Sequence, residues 1–192
     1  MNKFLVIEGV DGAGKTSIAQ GLVKSLGVRY VKTPGEDYEA IREYIDKLAP
    51  PTARFFYYVS SVFNASAQIG KALQTSKVVC DRYIWSSLIP HAAYFDKDLN
   101  DLERALDLFE TDIVKPDKTV LLTVSEDEQL KRITSRNGSR PFNLSDRLCL
   151  SDELRRKVRL LYQEIARRDN WAVIDTTTKT VADVIREIEN LF

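Results

Sequence analysis

Gly9-Val10-Asp11-Gly12-Ala13-Gly14-Lys15-Thr16 fits the spacing G-x-x-x-x-G-K-[ST] without deviation. Residues of these types at this spacing do one kind of chemistry. Glycines at 12 and 14 clear side chains from a turn, so that backbone N–H groups converge on phosphate oxygens. The Lys15 ammonium reaches the β- and γ-phosphates, and the Thr16 hydroxyl can ligate Mg²⁺. A helix opening here turns the positive end of its dipole toward the same anion. The apolar run Phe4-Leu5-Val6-Ile7 precedes the loop and a helix-compatible stretch, 16–26, follows it. That is the strand–loop–helix context the motif requires. Gly9, Asp11, Gly12, Ala13, Gly14, Lys15, Thr16 and Ser17 form the candidate cofactor site, with ATP and Mg²⁺ the expected cofactors.

Asp81-Arg82-Tyr83 follows the apolar Val78-Val79-Cys80. Ligands of an open parallel sheet bind beyond the carboxyl ends of its strands, so Asp81 and Arg82 should share the loop's crevice. There Asp81 can hold Mg²⁺, directly or through water, and Arg82 can grip a phosphate with both arms of its guanidinium. A structural Asp–Arg pair at a strand end is the alternative. Asp11 sits among N–H groups recruited for an anion. It either accepts a hydrogen bond from an acceptor's sugar hydroxyl or braces the loop. Glu8 is open between contact with magnesium-bound water and structural pairing.

Arg132, Arg136 and Arg140 recur every four residues. Phosphoryl transfer needs positive charge beside the developing negative charge, and Arg136 and Arg140 are the candidates to supply it. Arg132 reads as a helix-surface or helix-end residue. The segment from Arg136 to Asn143 mixes Gly, Pro and Asn with two arginines. It is a candidate lid over about 136–150, with a solvated loop as the alternative. Lys32 is placed to meet an acceptor phosphate, Pro34 to shape that wall, and rings of Phe55-Phe56-Tyr57-Tyr58, Phe56 in particular, to stack on a planar acceptor.

These residues need a scaffold. Short runs rich in Val, Ile and Leu at Lys3–Glu8, Val28–Lys32, Lys77–Asp81, Thr119–Val124 and Trp171–Asp175 read as strands covered on both faces. Helical stretches are expected at 16–26, 37–48, 52–75, 98–114, 126–136, 151–168 and 180–191. The alternation predicts an α/β three-layer sandwich around a parallel sheet, in one domain spanning residues 1–192. The 28 basic and 28 acidic residues cancel, which argues against a protein built to coat nucleic acid or an anionic membrane. No apolar run approaches the roughly 20 residues of a membrane span, and no signal peptide is visible. Cys80 and Cys149 lack metal-ligand or C-x-x-C spacing, which fits a reducing cytoplasmic location.

Taken together, the residues resemble the thymidylate kinase family of P-loop nucleoside monophosphate kinases, nearly from end to end. Phe4 to Thr16 is similar to that family's F-x-x-x-E-G-x-D-G-x-G-K-T opening. Asp81-Arg82-Tyr83 with Ser86-Ser87 resembles its D-R-[YF]-x-x-S-[ST] block, and Pro116-Asp117 through Val124 its P-D-x-x-x-x-L-x-V strand. The resemblance implies a five-stranded parallel sheet, Mg·ATP, transfer of the γ-phosphate to a nucleoside monophosphate, and a homodimer. It also implies a lid arginine in catalysis where the loop carries no basic residue after its Asp, as with Gly12 here. The departures gather on the acceptor side. Lys32-Thr33-Pro34-Gly35-Glu36 stands for R-E-P-G-G, Ser61 for the arginine that reads thymine, and Ile89-Pro90-His91 for A-Y-Q. Lys32, Pro34, Phe56, Ser61, Arg82 and His91 are thus the candidate acceptor residues.

The expected activity is ATP-dependent phosphorylation of a nucleoside monophosphate, dTMP or a related nucleotide. A kinase for a nucleoside or another small hydroxyl compound is the second reading, and a silent nucleotide-binding protein the third.

Overall fold

Strands without polar interruptions cannot face water, so helices must cover both sides of the sheet they form. The computed structural model describes residues 3–137 and 150–191. Its strands are β1 (Phe4–Gly9), β2 (Arg29–Lys32), β3 (Val78–Asp81), β4 (Lys118–Thr123) and β5 (Ala172–Asp175). They lie in the order β2-β3-β1-β4-β5 and every pairing is parallel. The helices are α1 (Lys15–Leu26), α2 (Glu39–Leu48), α3 (Pro51–Ala72), α4 (Trp85–Phe95), α5 (Leu99–Arg104), α6 (Glu126–Asn137), α7 (Asp152–Arg168) and α8 (Val181–Glu189).

The two-residue period of β1 divides the core. Phe4 and Val6 pack with Val31 and with Val62, Ala65 and Ile69 of α3. Leu5 and Ile7 face the other way, toward Ile18 and Leu22 of α1, Tyr162 and Ile165 of α7, and Val184 and Ile188 of α8. Each fully buried aliphatic side chain contributes roughly 1.5–3 kcal/mol, so both layers are held to the central strand.

The chain leaves β1 for the edge strand β2, returns to β3 beside β1, and later crosses to β4 on β1's other side. This reversal opens a crevice at the carboxyl end of β1. Gly9 ends β1 there with φ 141°, and a Cβ at this position would lie 2.3 Å from the Leu122 carbonyl oxygen. Only glycine lets the loop depart this close to β4.

Each strand lies within a residue of its expected ends, whereas two helical regions differ. Helix α4 was not expected at all. It is apolar on nearly every side, with Leu88, Ile89, Ala92 and Ala93 buried, so it shows no helical stripe, and Pro90 lies inside it. The helix expected over 98–114 is instead α5 followed by a 3₁₀ segment, Asp107–Asp112. Leu106 is buried there, but Leu108 points into solvent, so no apolar face continues the helix.

Candidate active site

The loop after β1 takes its shape from residues of positive φ: 141° at Gly9, 83° at Gly12 and 93° at Gly14. Lys15 opens α1 and is 3% exposed. Its Nζ donates to the carbonyl oxygens of Gly9 and Val10, each at 2.7 Å, and lies 3.8 Å from Asp11 Oδ1. An ammonium has three donors, so one remains for a phosphate oxygen. Burial, with the charge of Arg82 beside it, brings the Lys15 pKa down to about 8.

The register of the sheet sets Lys32 opposite Asp81 and Ile7 beside Asp81. Asp81 is buried, and its Oδ2 accepts from Thr16 Oγ1 at 2.6 Å and from Tyr30 OH at 3.2 Å. Its Oδ1 is buried with no hydrogen-bond partner among the described residues. A carboxylate oxygen left unpaired beside a hydroxyl is a donor set that suits Mg²⁺, which takes hard oxygen ligands and keeps several waters. The pair therefore fits the ion. No group of three or more His, Cys, Asp and Glu that could hold a metal ion occurs among the described residues.

Arg82 adopts φ 70°, a left-handed conformation rare for a side chain of its size. Its Nη2 meets Asp11 Oδ1 at 2.6 Å. Burial works against the guanidinium's charge, but Asp11 and Asp81 hold its pKa above the ordinary value. Lys15, Asp11, Thr16, Asp81 and Arg82 are thus brought together at the carboxyl end of the sheet. Ser17 sits exposed in the first turn of α1.

Two residues of α6 reach this loop. Gln129 Nε2 donates to the Asp11 carbonyl at 2.7 Å, and its Oε1 accepts from the Arg159 guanidinium. Arg132 is no mere helix-surface residue. Its Nη1 donates to Gly12 O at 3.3 Å and to Thr176 Oγ1 at 3.1 Å, while Nη2 donates to Thr176 O at 2.8 Å. It ties the loop to the segment after β5. Sequence spacing could not reveal these contacts, which join residues 118 and 120 positions apart.

Of the residues expected to meet an acceptor, Lys32 ends β2 half-buried, and Pro34 is buried after a cis peptide bond. Ser61 is 2% exposed, and its hydroxyl donates to the Tyr58 carbonyl at 2.6 Å. His91 is buried between Phe55 and Phe95, at ring-centroid distances of 4.7 and 4.9 Å. Its Nδ1 has no hydrogen-bond partner among the described residues. Burial, with the charges of Arg54 and Lys97, lowers its pKa to about 4, so the ring is neutral near pH 7. Phe56, expected to stack on a planar acceptor, faces solvent. It is 61% exposed, because its neighbours Phe55 and Tyr57 take the buried sides of α3. Tyr57 instead donates to the Tyr38 carbonyl at 2.7 Å. A buried arginine that the sequence reading passed over, Arg54, lies two helical turns before Ser61 and pairs through Nε with Asp46 at 3.2 Å. Arg136 falls near the end of α6, while Arg140 and most of the expected lid lie outside the described residues.

A family model described as thymidylate kinase matches residues 7–188. The probable thymidylate kinase of Methanococcus maripaludis strain C7 is 30% identical over 207 residues, covering 99% of this chain and 94% of that protein. The probable thymidylate kinase of Archaeoglobus fulgidus is 31% identical over 196 residues, covering 98% of this chain and 93% of that protein. Among solved structures, thymidylate kinase from Candida albicans superposes with a TM-score of 0.75 at 21% identity, over 99% of this chain and 90% of its own. Deoxyadenosine kinase from M. mycoides gives 0.71 at 22%, over 98% and 97%. At such identities the structural likeness speaks for the fold alone.

Proposed function

Because the chain belongs to the thymidylate kinase family and is a nucleotide kinase, we propose that it transfers the γ-phosphoryl group of Mg·ATP to a nucleoside monophosphate, with dTMP the first acceptor. The observation that carries this reading is the placing of two cations, Lys15 and Arg82, on one carboxylate, Asp11. One cation belongs to the triphosphate loop and the other to the strand end where an acceptor would sit.

In this reading Lys15 gives its remaining donor to the β- and γ-phosphates, while the N–H groups from Gly9 to Ser17 cradle them. Thr16 and Asp81 would hold Mg²⁺, which when bound neutralises phosphate charge. Arg82 grips the acceptor's phosphate, and Asp11 keeps the guanidinium aimed and accepts from the acceptor's sugar hydroxyl. Little covalent work is asked of the protein, since phosphoryl transfer is accelerated mainly by positioning and electrostatics. Lys32, Pro34, Ser61 and His91 are assigned to the acceptor side. Arg136 and Arg140 are assigned to a lid over about 136–150 of one kinase domain. The assay that tests the proposal follows ADP formation with each nucleoside monophosphate in turn.

The family resemblance also implies a homodimer, which we assign to the outer face of α2. That helix buries no residue. It lays its polar side on α3, where Asp46 accepts from Arg54 Nε at 3.2 Å and Tyr58 OH at 2.7 Å. Ile41, Tyr44 and Leu48 point outward, 55%, 61% and 71% exposed, and Phe56 of α3 is also exposed. A two-fold contact would cover the same apolar row on both copies. No described helix is long and apolar enough to cross a membrane, and we place the enzyme in the cytoplasm.

A further inference from the structure

Glu8 is a carboxylate with no exposure, in the last turnings of β1. Burying such a group is costly unless every oxygen is satisfied. Here one oxygen, Oε1, accepts from the backbone N–H of Tyr83 at 3.0 Å and of Ser86 at 3.3 Å. The other, Oε2, accepts from the Ser86 hydroxyl and from Tyr162 OH of α7 at 3.5 Å. The carboxylate therefore joins β1, the start of α4 and α7 at one point. Burial raises its pKa, while its hydrogen bonds from Ser86 and Tyr83 and the charges of Lys15 and Arg82 work the other way.

What this anchor holds is the peptide that follows Arg82. The left-handed Arg82 is clamped on all sides. Its N–H donates to the Ile7 carbonyl at 3.0 Å. Its carbonyl accepts from Thr33 Oγ1 at 2.9 Å and from the Cys80 thiol at 3.0 Å. The next N–H, that of Tyr83, is the one held by Glu8. A bulky residue at positive φ persists only where its surroundings over-determine it, and such strain concentrates at functional sites.

We propose that Glu8 is a positioning residue for Arg82. By fixing the Tyr83 N–H it keeps Arg82 left-handed, with the guanidinium on Asp11 and facing the acceptor's phosphate. The inference rests on the reading that Arg82 binds that phosphate. It predicts an effect confined to the acceptor side, although Glu8 is the neighbour in sequence of the triphosphate loop.

The test uses the full-length chain and steady-state kinetics with ATP and dTMP, alongside direct ATP binding. Glu8→Ala should raise KM for dTMP about tenfold or more and lower kcat, while the ATP Kd stays within about threefold. Glu8→Gln should recover most of the loss, because its amide oxygen still accepts from Tyr83 N–H. In an Arg82→Ala background, Glu8→Ala should add less than about twofold, since both act through one group. Multiplicative losses in the double variant, or ATP and dTMP affinities falling together, would overturn the role. Should Glu8→Ala fail to fold, Ser86→Ala, which removes only one hydroxyl from the carboxylate, must still raise KM for dTMP, and an unchanged value overturns the proposal. Unaltered kinetics in Arg82→Ala would overturn the acceptor-site reading itself, and the role of Glu8 with it.

Discussion

Arg82 and Asp11, 71 positions apart, meet at 2.6 Å where β3 and the loop after β1 converge. Their side chains are 28% and 17% exposed, so the pair is partly withdrawn from water, and removing one partner would leave the other charge partly buried and unpaired. The same carboxylate lies 3.8 Å from the buried Lys15 ammonium. Asp11 thus stands between the Lys15 ammonium and the Arg82 guanidinium.

Removing that spacer should separate the two halves of the site. Asp11→Ala leaves Arg82 without its carboxylate, and we expect kcat/KM for the acceptor to fall by about 10²-fold or more while ATP affinity changes little. Arg82→Lys should not rescue function, because a lysine cannot reproduce the two-pronged grip of a guanidinium. Steady-state kinetics with each substrate varied separately provide the check, and full activity in Arg82→Lys would count against a bidentate role.

The charge state of Lys15 makes ATP binding pH-dependent. In the free protein its pKa is about 8, whereas phosphate oxygens favour the ammonium and must raise that value in the complex. Binding above pH 8 therefore takes up a proton, and affinity should fall as pH rises, by at most about tenfold per unit. Calorimetry in two buffers of different ionisation enthalpy reads the uptake directly. Lys15→Met should show none, and a flat affinity across this window in the parent protein would contradict the assignment.

Gly12→Ala tests the contact between loop and α6. Gly12 has φ 83°, and a Cβ there would approach the Gln129 side chain and carbonyl oxygen at 3.2 Å. Both strain and crowding act against the variant, and we expect a loss of about 1–3 kcal/mol in chemical denaturation together with weaker ATP binding. Unchanged stability would mean that α6 does not press on the loop as described.

The apolar row of α2 predicts the oligomeric state. Tyr44→Lys with Leu48→Lys should convert a dimer to a monomer in sedimentation, with little change in monomer stability because neither side chain is buried. A dimer that survives both substitutions uses another face.

The loop, Asp81 and Arg82 were legible in the sequence because each is local. The glycine spacing sets the turn, and a strand end carries its own next residues into the crevice. The five strands were legible for a related reason, since burial on both faces leaves near-continuous apolar runs. Helix α4 was not, because a helix buried nearly all round has no stripe to detect and Pro90 argues against it locally. The bridging roles of Arg132 and Gln129 and the anchoring role of Glu8 depend on contacts between residues far apart in the chain, which no spacing encodes. Of the residues singled out for an acceptor, Ser61 and His91 are buried in α3 and α4. Phe56, also singled out, is turned toward solvent by helix geometry.

The most direct measurement incubates the protein with Mg²⁺, γ-phosphate-labelled ATP and dTMP, and identifies the labelled product. Label is expected in dTDP, formed only with the metal present and lost in Lys15→Ala. ATP hydrolysed to free phosphate with no labelled diphosphate from dTMP or any other nucleoside monophosphate, or label appearing only on nucleosides, would contradict the proposed transfer.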